Sequence, residues 1–184
     1  MKIDDYVDFL LSYNEKVNLV SKKSTRETIN TLISESLLLK KHLSTPLVID
    51  AGSGGGLLGI PLAISFPEKR IVLIETIQKK LRFLKLAIDE LALKNTTAWD
   101  GSIQEYMQLK KNSAGSIVSR GFPHNEILVD FVIKKAIKEL VLITAHAKID
   151  KIKIKVANIR QNSYNIPSRD NLIIFKMENV SRET

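Results

Sequence analysis

L-V-I-D-A-G-S-G-G-G-L-L-G-I-P-L, residues 47–62, predicts a buried strand, a glycine-rich turn and the first turn of a helix. The three apolar residues before Asp50 are typical of a strand that is covered on both faces. The four glycines at positions 52 and 54–56 can adopt positive φ and let a ligand lie against the main chain. A helix that begins near Leu58 would direct its free N–H groups toward that ligand.

The spacing of the glycines limits the ligands that this turn could bind. A Walker phosphate loop requires a Gly-Lys-Ser or Gly-Lys-Thr ending, which the stretch lacks. The dinucleotide pattern G-x-G-x-x-G fits loosely at Gly54, Gly56 and Gly59, but it begins late relative to the strand end. The pattern D-x-G-x-G-x-G, which runs from Asp50 through Gly52 to Gly56, begins at the strand end and is typical of S-adenosylmethionine (SAM) methyltransferases. A tight turn without a ligand is the remaining alternative.

A second acidic residue follows the next predicted strand, residues 70–75. Glu75 lies about 20 residues past the glycines, where an acidic side chain accepts hydrogen bonds from the hydroxyls of an adenosine ribose. Because NAD and SAM share that ribose, Glu75 does not distinguish them. An exposed carboxylate at a strand end is the alternative without a ligand.

Composition narrows the class of protein. The 184 residues, 44% of them hydrophobic, are enough for a single domain with a substantial core. The absence of cysteine excludes disulfides, thiolate metal ligands and a thiol nucleophile, and the three histidines lack ligand-like spacing, so we expect no metal site. No apolar run approaches the roughly 20 residues of a membrane span, so we expect a cytoplasmic protein. The net charge of +8 favours a polyanionic partner.

Periodicity predicts two amphipathic helices before the sheet, over residues 2–16 and from Ser24 or Thr25 to about residue 41. They form an N-terminal cap, residues 1–45, which precedes a SAM-binding core, residues 46–184. These helices are not needed to form the sheet. We therefore expect them to cover a ligand or to present a substrate surface.

Alternating strands and helices predict a mostly parallel, doubly wound α/β sheet. The predicted strands are 47–51, 70–75, 96–100, 116–119 and 139–144. The predicted helices are 58–66, 77–93 and 124–137, and a turn followed by a short helix is predicted over 101–109. The helix over 77–93 places Lys79, Arg82 and Lys85 on one side. At the end of the chain, strands 151–156 and 171–177 with a loop over 162–169 predict an antiparallel edge.

Several motifs together resemble the RsmG (GidB) family of bacterial 16S rRNA guanine-N7 methyltransferases. Y-N-E-K-V-N-L-V, residues 13–20, is similar to the family signature W-N-x-x-x-N-L-T, and S-E-S-L, residues 34–37, to H-x-x-D-S-L. D-A-G-S-G-G-G-L-L-G-I-P-L resembles D-V-G-T-G-x-G-x-P-G-I-P-L. L-I-E-T-I-Q-K-K-L-R-F-L, residues 73–84, resembles L-x-D-S-x-x-K-R-x-x-F-L, and V-S-R-G-F, residues 118–122, contains the counterpart of S-R-A-F.

The resemblance implies a Rossmann-like SAM-dependent methyltransferase fold, a SAM cofactor and a role for each matching residue. Glu75 would hold the ribose, Ile103 and Gln104 would flank the adenine, and Arg120 would act as the catalytic residue beside the methyl group and the guanine. The implied cofactor-binding residues are Asp50, Gly52, Gly54, Gly56, Leu57, Glu75, Ile103, Gln104 and Arg120. The sequence departs from the family pattern at Leu32 (histidine), Leu58 (proline) and Ser102 (arginine). After the fifth strand, I-T-A-H-A with His146 replaces the family's basic Tyr/Phe-x-Lys-Gly segment.

The implied chemistry needs no general base. N7 of guanine carries an in-plane lone pair that attacks the methyl group without prior proton removal, so catalysis is mainly alignment, worth on the order of 7–11 kcal/mol in ideal models. Positive charge moves onto the guanine, so we expect Arg120 to contact O6, a phosphate or the SAM carboxylate rather than N7. An ordinary strand-end salt bridge is the alternative for Arg120.

The implied partner is 16S rRNA within the 30S subunit, with a target in the 530 loop and a monomeric enzyme. We expect phosphate contacts from Lys22, Lys23, Arg26, Lys151, Lys153 and Lys155. Three alternatives remain open: a small-molecule SAM methyltransferase, an NAD-dependent dehydrogenase, and a non-catalytic RNA-binding relative. The chain is short for a dehydrogenase with a second substrate domain.

Overall fold

The computed structural model describes residues 2–110, 115–134, 136–148, 159–167 and 169–180. Within these ranges seven strands form one sheet in the order β3-β2-β1-β4-β5-β7-β6. The strands are β1 Leu47–Ala51, β2 Arg70–Glu75, β3 Thr96–Asp100, β4 Ser116–Arg120, β5 Glu139–Ala145, β6 Ile159–Ile166 and β7 Arg169–Asn179. The α-helices are α1 Lys2–Asn14, α2 Arg26–Leu37, α3 Gly59–Ser65, α4 Gln78–Glu90, α5 Ile103–Lys110 and α6 Asn125–Ile133, and 3-10 helices span Leu38–His42 and His146–Lys148.

The first five strands are parallel and the last two are antiparallel. β1 lies between β2 and β4, so Ile49 pairs with Val72 on one side and with Ile117 on the other. β3 extends the sheet beyond β2, and β5 extends it beyond β4, both in parallel. β7 pairs antiparallel with β5 and with β6. The predicted fold class, a mostly parallel doubly wound sheet with an antiparallel edge, is confirmed.

Helices cover both faces of the sheet, so the central strands bury apolar side chains on both faces. Val48 and Val118 belong to a core cluster that includes residues of α1 to α4. Ile49 follows Val48 and Ile117 precedes Val118, so both lie on the opposite face of the sheet. They belong to a second core cluster, which includes residues of α5 and α6. Every residue of β1 is buried.

The two predicted N-terminal helices are present. Thr25 caps α2, since its side chain accepts a hydrogen bond from the Thr28 N–H, and Glu27 lies in the first turn. The helix ends at Leu37 rather than near residue 41, because a 3-10 turn follows over Leu38–His42. The helices predicted over 77–93 and 124–137 are also shorter and end at Glu90 and Ile133. The division of the chain at residues 45 and 46 stays a prediction.

The antiparallel edge predicted at the end of the chain is present, and the strand predicted over 171–177 lies within β7. The strand predicted over 151–156, and with it Lys151, Lys153 and Lys155, lies outside the described residues. The loop predicted over 162–169 is wrong, because β6 continues to Ile166 and β7 begins at Arg169, with Pro167 in the turn. β6 is an edge strand whose residues are mostly polar and partly exposed, so it carries no clear apolar alternation.

Within the described ranges, no helix combines the length and the apolar character that crossing a membrane requires.

Candidate cofactor-binding site

The glycine-rich turn joins β1 to α3 in the conformation that the sequence predicts. Gly52, Gly54 and Gly56 have φ values of 74°, 59° and 78°. The turn is fixed to the neighbouring strand, since the Gly52 and Ser53 N–H groups donate to the Ile74 carbonyl at 3.1 and 2.9 Å. A Cβ on Gly56 would lie 2.6 Å from Ile60 Cδ1, so a residue larger than glycine does not fit there.

Asp50 closes the first turn of α3. Its Oδ2 accepts a hydrogen bond from the Gly59 N–H at 3.0 Å, and the Ile60 N–H donates to the Gly56 carbonyl at 3.0 Å. Pro61, the next residue, has no N–H. The prediction that this helix directs free N–H groups toward a ligand is therefore wrong for its first three residues. A pyrophosphate would need such donors, so the arrangement argues against a dinucleotide.

Burial makes Asp50 a weaker acid than an ordinary aspartate. Its side chain is 1% exposed, and this loss of hydration raises the pKa of Asp50 to about 7. The hydrogen bond from Gly59 and the positive charge of Arg120 act in the opposite direction. A carboxyl group with this pKa changes its charge readily when a cation approaches.

Glu75 ties the end of β2 to the glycine turn. Its Oε2 accepts a hydrogen bond from the Gly54 N–H at 2.9 Å, and its Oε1 accepts from the Thr76 and Ile77 N–H groups at 2.9 and 2.8 Å. The side chain is 6% exposed, so the alternative of an exposed strand-end carboxylate is wrong. A carboxylate has about four acceptor positions, so Glu75 retains capacity for a ligand hydroxyl.

A crevice of about 170 Å³ opens beside Glu75 at the carboxyl ends of β1, β2 and β3. It brings together four predicted cofactor-binding residues, Gly52, Glu75, Ile103 and Gln104. Ligands of open α/β sheets bind at this edge. The volume is below the roughly 300–1,000 Å³ that is typical of complete ligand pockets, so the crevice suits one end of a cofactor. We call it the cofactor crevice.

Phe122 also lines the cofactor crevice, and the sequence reasoning missed it. A Cβ on Gly52 would lie 3.1 Å from Phe122 Cδ2, so the ring lies directly over the bare glycine. The sequence feature that could have identified Phe122 is its position two residues after Arg120 in V-S-R-G-F.

Ser102 fixes the start of the segment that was predicted to flank the adenine, at the position where the family pattern has an arginine. The Ser102 N–H and Oγ–H donate to Glu105 Oε2 at 2.6 and 2.7 Å, and the Glu105 N–H donates back to Ser102 Oγ at 3.2 Å. This is a capping box at the start of α5. It positions Ile103, which is buried, and Gln104 beside the crevice.

Arg120 stands at the end of β4 and extends toward α2. Its guanidinium pairs with Glu35 at 2.8 Å and donates to the Leu32 carbonyl at 2.9 Å and to Ser36 Oγ at 3.1 Å. Ser36 Oγ also lies 2.8 Å from the Leu57 carbonyl of the glycine turn. The structure thus shows the strand-end salt bridge that was the alternative for Arg120, and a direct role beside the substrate stays a prediction.

The N-terminal helices hold the outer side of the glycine turn, in a manner that the sequence did not reveal. The buried Tyr6 hydroxyl donates to the Gly55 carbonyl at 2.7 Å. A Cβ on Gly55 would lie 3.2 Å from Leu10 Cδ1 and 3.4 Å from Leu19 Cβ. Asn14 holds Leu19 in place, since Asn14 Oδ1 accepts from the Leu19 N–H at 2.8 Å. Asn14 thereby forms an ordered turn over residues 14–20.

The predicted RNA-binding residues that are described lie in the segment that follows α1 and at the first residue of α2. Lys22 and Lys23 are exposed there. Arg26 forms an ion pair with Asp8, so part of its charge is already compensated. None of these three residues is among those that line the cofactor crevice.

The sheet, the D-x-G-x-G-x-G turn and the acidic residue at the end of β2 define the class of Rossmann-like SAM-dependent methyltransferases. The fold is similar to that of an O-methyltransferase from Bacillus cereus in complex with SAH, with a TM-score of 0.70 and 15% identity, over 97% of this chain and 91% of that chain. The family model of GidB, described as rRNA small subunit methyltransferase G, matches residues 1–169. The chain belongs to the GidB family.

Two relatives illustrate the extent of the similarity. Ribosomal RNA small subunit methyltransferase G of Brachyspira hyodysenteriae is 35% identical over 185 residues, which cover 99% of this chain and 86% of that protein. The protein of the same name from Glaesserella parasuis is 36% identical over 127 residues, which cover 69% of this chain and 61% of the relative.

Proposed function

We propose that this protein transfers a methyl group from SAM to N7 of a guanine in 16S rRNA of the small ribosomal subunit, with the 530 loop as its target. The match of the GidB family model over residues 1–169 carries this proposal, because it includes every residue that lines the cofactor crevice. The choice of N7 and of the 530 loop is supported by the motif resemblance. We further propose that the protein acts in the cytoplasm, where its ribosomal substrate lies, and that it acts as a monomer.

The residues of the cofactor crevice fit SAM. Glu75 would accept a hydrogen bond from a ribose hydroxyl at its remaining acceptor position, and Gly52 leaves the main chain bare under Phe122. Asp50 does not line the crevice, but its buried carboxylate lies two residues before Gly52 and would act on a cationic ligand through its charge. The closed start of α3 provides no cradle for a pyrophosphate. When bound, SAM supplies an electrophilic methyl group on a sulfonium sulfur.

The protein side chains then act by alignment. N7 of guanine needs no general base, because its lone pair is already free. Holding the nucleophile in line with the methyl group lowers the barrier by restricting motion before the reaction. Arg120 is neutralised by Glu35 at 2.8 Å, so the pair does not oppose the positive charge that develops on the guanine. In this proposal Arg120 fixes α2 against the end of β4 and thereby shapes the substrate side of the site.

Methyl transfer from labelled SAM to 30S subunits of a strain that lacks the modification tests the proposal. We expect the label in 16S rRNA and N7-methylguanosine after nuclease digestion. Naked 16S rRNA, assayed in parallel, tells which form is the substrate. SAM binding without any label in rRNA would falsify the enzyme hypothesis, and label transferred only to small molecules would favour a small-molecule methyltransferase.

A further inference from the structure

A second cavity, of about 500 Å³, lies beside α4 and outside the cofactor crevice. We call it the basic groove. Its lining includes Tyr13, Val17, Gln78, Lys79, Arg82 and Lys85. Its volume lies within the range of roughly 300–1,000 Å³ that is typical of ligand pockets.

One wall of the basic groove is strongly positive. Lys79, Arg82 and Lys85 follow one another at spacings of three along α4, so they share one side of the helix, and all three are exposed. No ion pair recorded within the described ranges involves them, and no acidic residue is among the residues that line the groove. Three adjacent cations without carboxylate partners favour a polyanionic ligand.

The other wall presents an aromatic ring. Tyr13 is half-buried, and its ring centroid lies 5.2 Å from that of Phe83 and 6.0 Å from that of Phe9. The contacts with these two rings fix the position of the Tyr13 ring. A fixed aromatic ring beside a row of cations is the combination by which proteins bind single-stranded RNA, since bases stack on the ring and phosphates contact the cations.

The basic groove adjoins the cofactor crevice at the same edge of the sheet. α4 begins at Gln78, three residues after Glu75, and Thr76 lines the crevice while Gln78 lines the groove. Ile77, between them, is 44% exposed and provides an apolar surface at the boundary. A strand of RNA whose target base enters the site beside the crevice can therefore continue into the groove.

We propose that the basic groove binds the single-stranded segment of rRNA next to the target guanine, with its phosphates on Lys79, Arg82 and Lys85 and a base on Tyr13. This inference rests on the proposed function. The groove supplies affinity and register for the rRNA, and it makes no contact with the methyl donor.

The test compares two triple variants with equal loss of charge. Lys79→Ala/Arg82→Ala/Lys85→Ala removes the cations of the groove. Lys94→Ala/Lys110→Ala/Lys138→Ala removes three exposed cations from the opposite, amino-terminal edge of the sheet. Both variants carry a net charge of +5, from +8 minus 3, so a general effect of charge would be the same in both.

We expect the groove variant to bind a 16S rRNA transcript about tenfold to a hundredfold more weakly than the wild type. The slope of log K against log salt should become less steep by about 2, at about 0.7 for each phosphate that the variant no longer neutralises. The KM for rRNA should rise, whereas the dissociation constant for SAM should not change. The amino-edge variant should resemble the wild type in all four quantities.

Equal weakening in the two variants, or an unchanged groove variant, would overturn the proposal while wild-type methyl transfer to rRNA stands. Competition by poly-glutamate as strong as that by rRNA would point to an acidic protein partner and would also overturn it. Absence of methyl transfer by the wild type itself would instead contradict the proposed function, and this inference with it.

Discussion

Glu75 is the residue at which the fold and the proposed cofactor meet, because its carboxylate binds the glycine turn and faces the cofactor crevice. We predict that Glu75→Gln weakens SAM binding by about tenfold to a hundredfold, since a hydrogen bond to a charged group contributes about 1.5–3 kcal/mol. Isothermal titration calorimetry measures the change.

The matched control for this substitution is Glu68→Gln, at an exposed position before β2. It should leave the SAM affinity unchanged. Glu75→Gln with wild-type affinity for SAM would show that the carboxylate only fixes the turn and that the ribose is held elsewhere.

The ionisation of Asp50 leads to a prediction about how SAM binding depends on pH. Burial raises its pKa to about 7, and the ionised form is the one that attracts a cationic ligand. SAM binding should therefore weaken as the pH falls through this value, by about tenfold between pH 8 and pH 6, where the ionised fraction falls about tenfold. SAM titrations across this pH range measure the effect.

Asp50→Asn cannot ionise, so it should bind SAM more weakly and with little dependence on pH over the same range. A wild-type affinity that stays constant from pH 6 to pH 8 would contradict a charge interaction between Asp50 and the donor. The hydrogen bond from Gly59 would then be the only role of this side chain at the site.

Single residues differ in how well the sequence predicts their surroundings. The positions of Gly52, Glu75 and Ile103 in the crevice follow from local motifs, because each lies within a few residues of a strand end. The partner of Arg120 does not follow in this way, since Glu35 lies 85 residues away and only the packing of α2 against β4 brings them together. Phe122 was missed for a similar reason, because its contact with Gly52 depends on the turn after β4.

At the scale of elements, α1 acts on the site through the glycine turn. We predict that Tyr6→Phe weakens SAM binding by about twofold to tenfold, because the Gly55 carbonyl loses its hydrogen bond and a net bond contributes about 0.5–1.5 kcal/mol. SAM titration together with thermal unfolding measures the change.

Tyr164→Phe, at a position 38% exposed on β6, is the matched control and should change neither quantity. A Tyr6→Phe variant with lowered thermal stability and unchanged SAM affinity would mean that α1 supports folding without positioning the turn.

The strands of the sheet are predictable where both faces are covered and not at the exposed edge. β1 and β2 are covered on both faces, and their apolar runs predict the observed bounds. β6 lies at the edge with polar residues facing solvent, so its pattern predicts a loop although its hydrogen bonds to β7 are regular over most of its length. Edge strands are held by the backbone ladder, which leaves little pattern in the side chains.

At the scale of the whole molecule, a buried polar network joins parts of the chain that are distant in sequence. Glu139 on β5 is fully buried and accepts hydrogen bonds from the Ser44 N–H at 2.8 Å and from Ser116 Oγ at 2.5 Å. Lys176 on β7 lies 3.0 Å from Glu139 and 3.0 Å from Glu178. Burial alone would raise the pKa of Glu139, but the hydrogen bonds and Lys176 hold it below the usual value.

We predict that Glu139→Gln lowers the free energy of unfolding by about 2–4 kcal/mol, because it leaves Lys176 without its buried partner and disturbs the bonds from Ser44 and Ser116. Glu178→Gln removes the more exposed carboxylate from the same lysine and should cost less than about 1 kcal/mol. Urea unfolding of both variants at pH 7 gives the comparison, and SAM affinity should be retained in each. Because the lowered pKa of Glu139 contributes stability that is lost as pH falls, the two variants should converge in stability at acidic pH. Equal destabilisation by both substitutions at neutral pH would contradict a special role for the buried carboxylate in joining these distant parts of the chain.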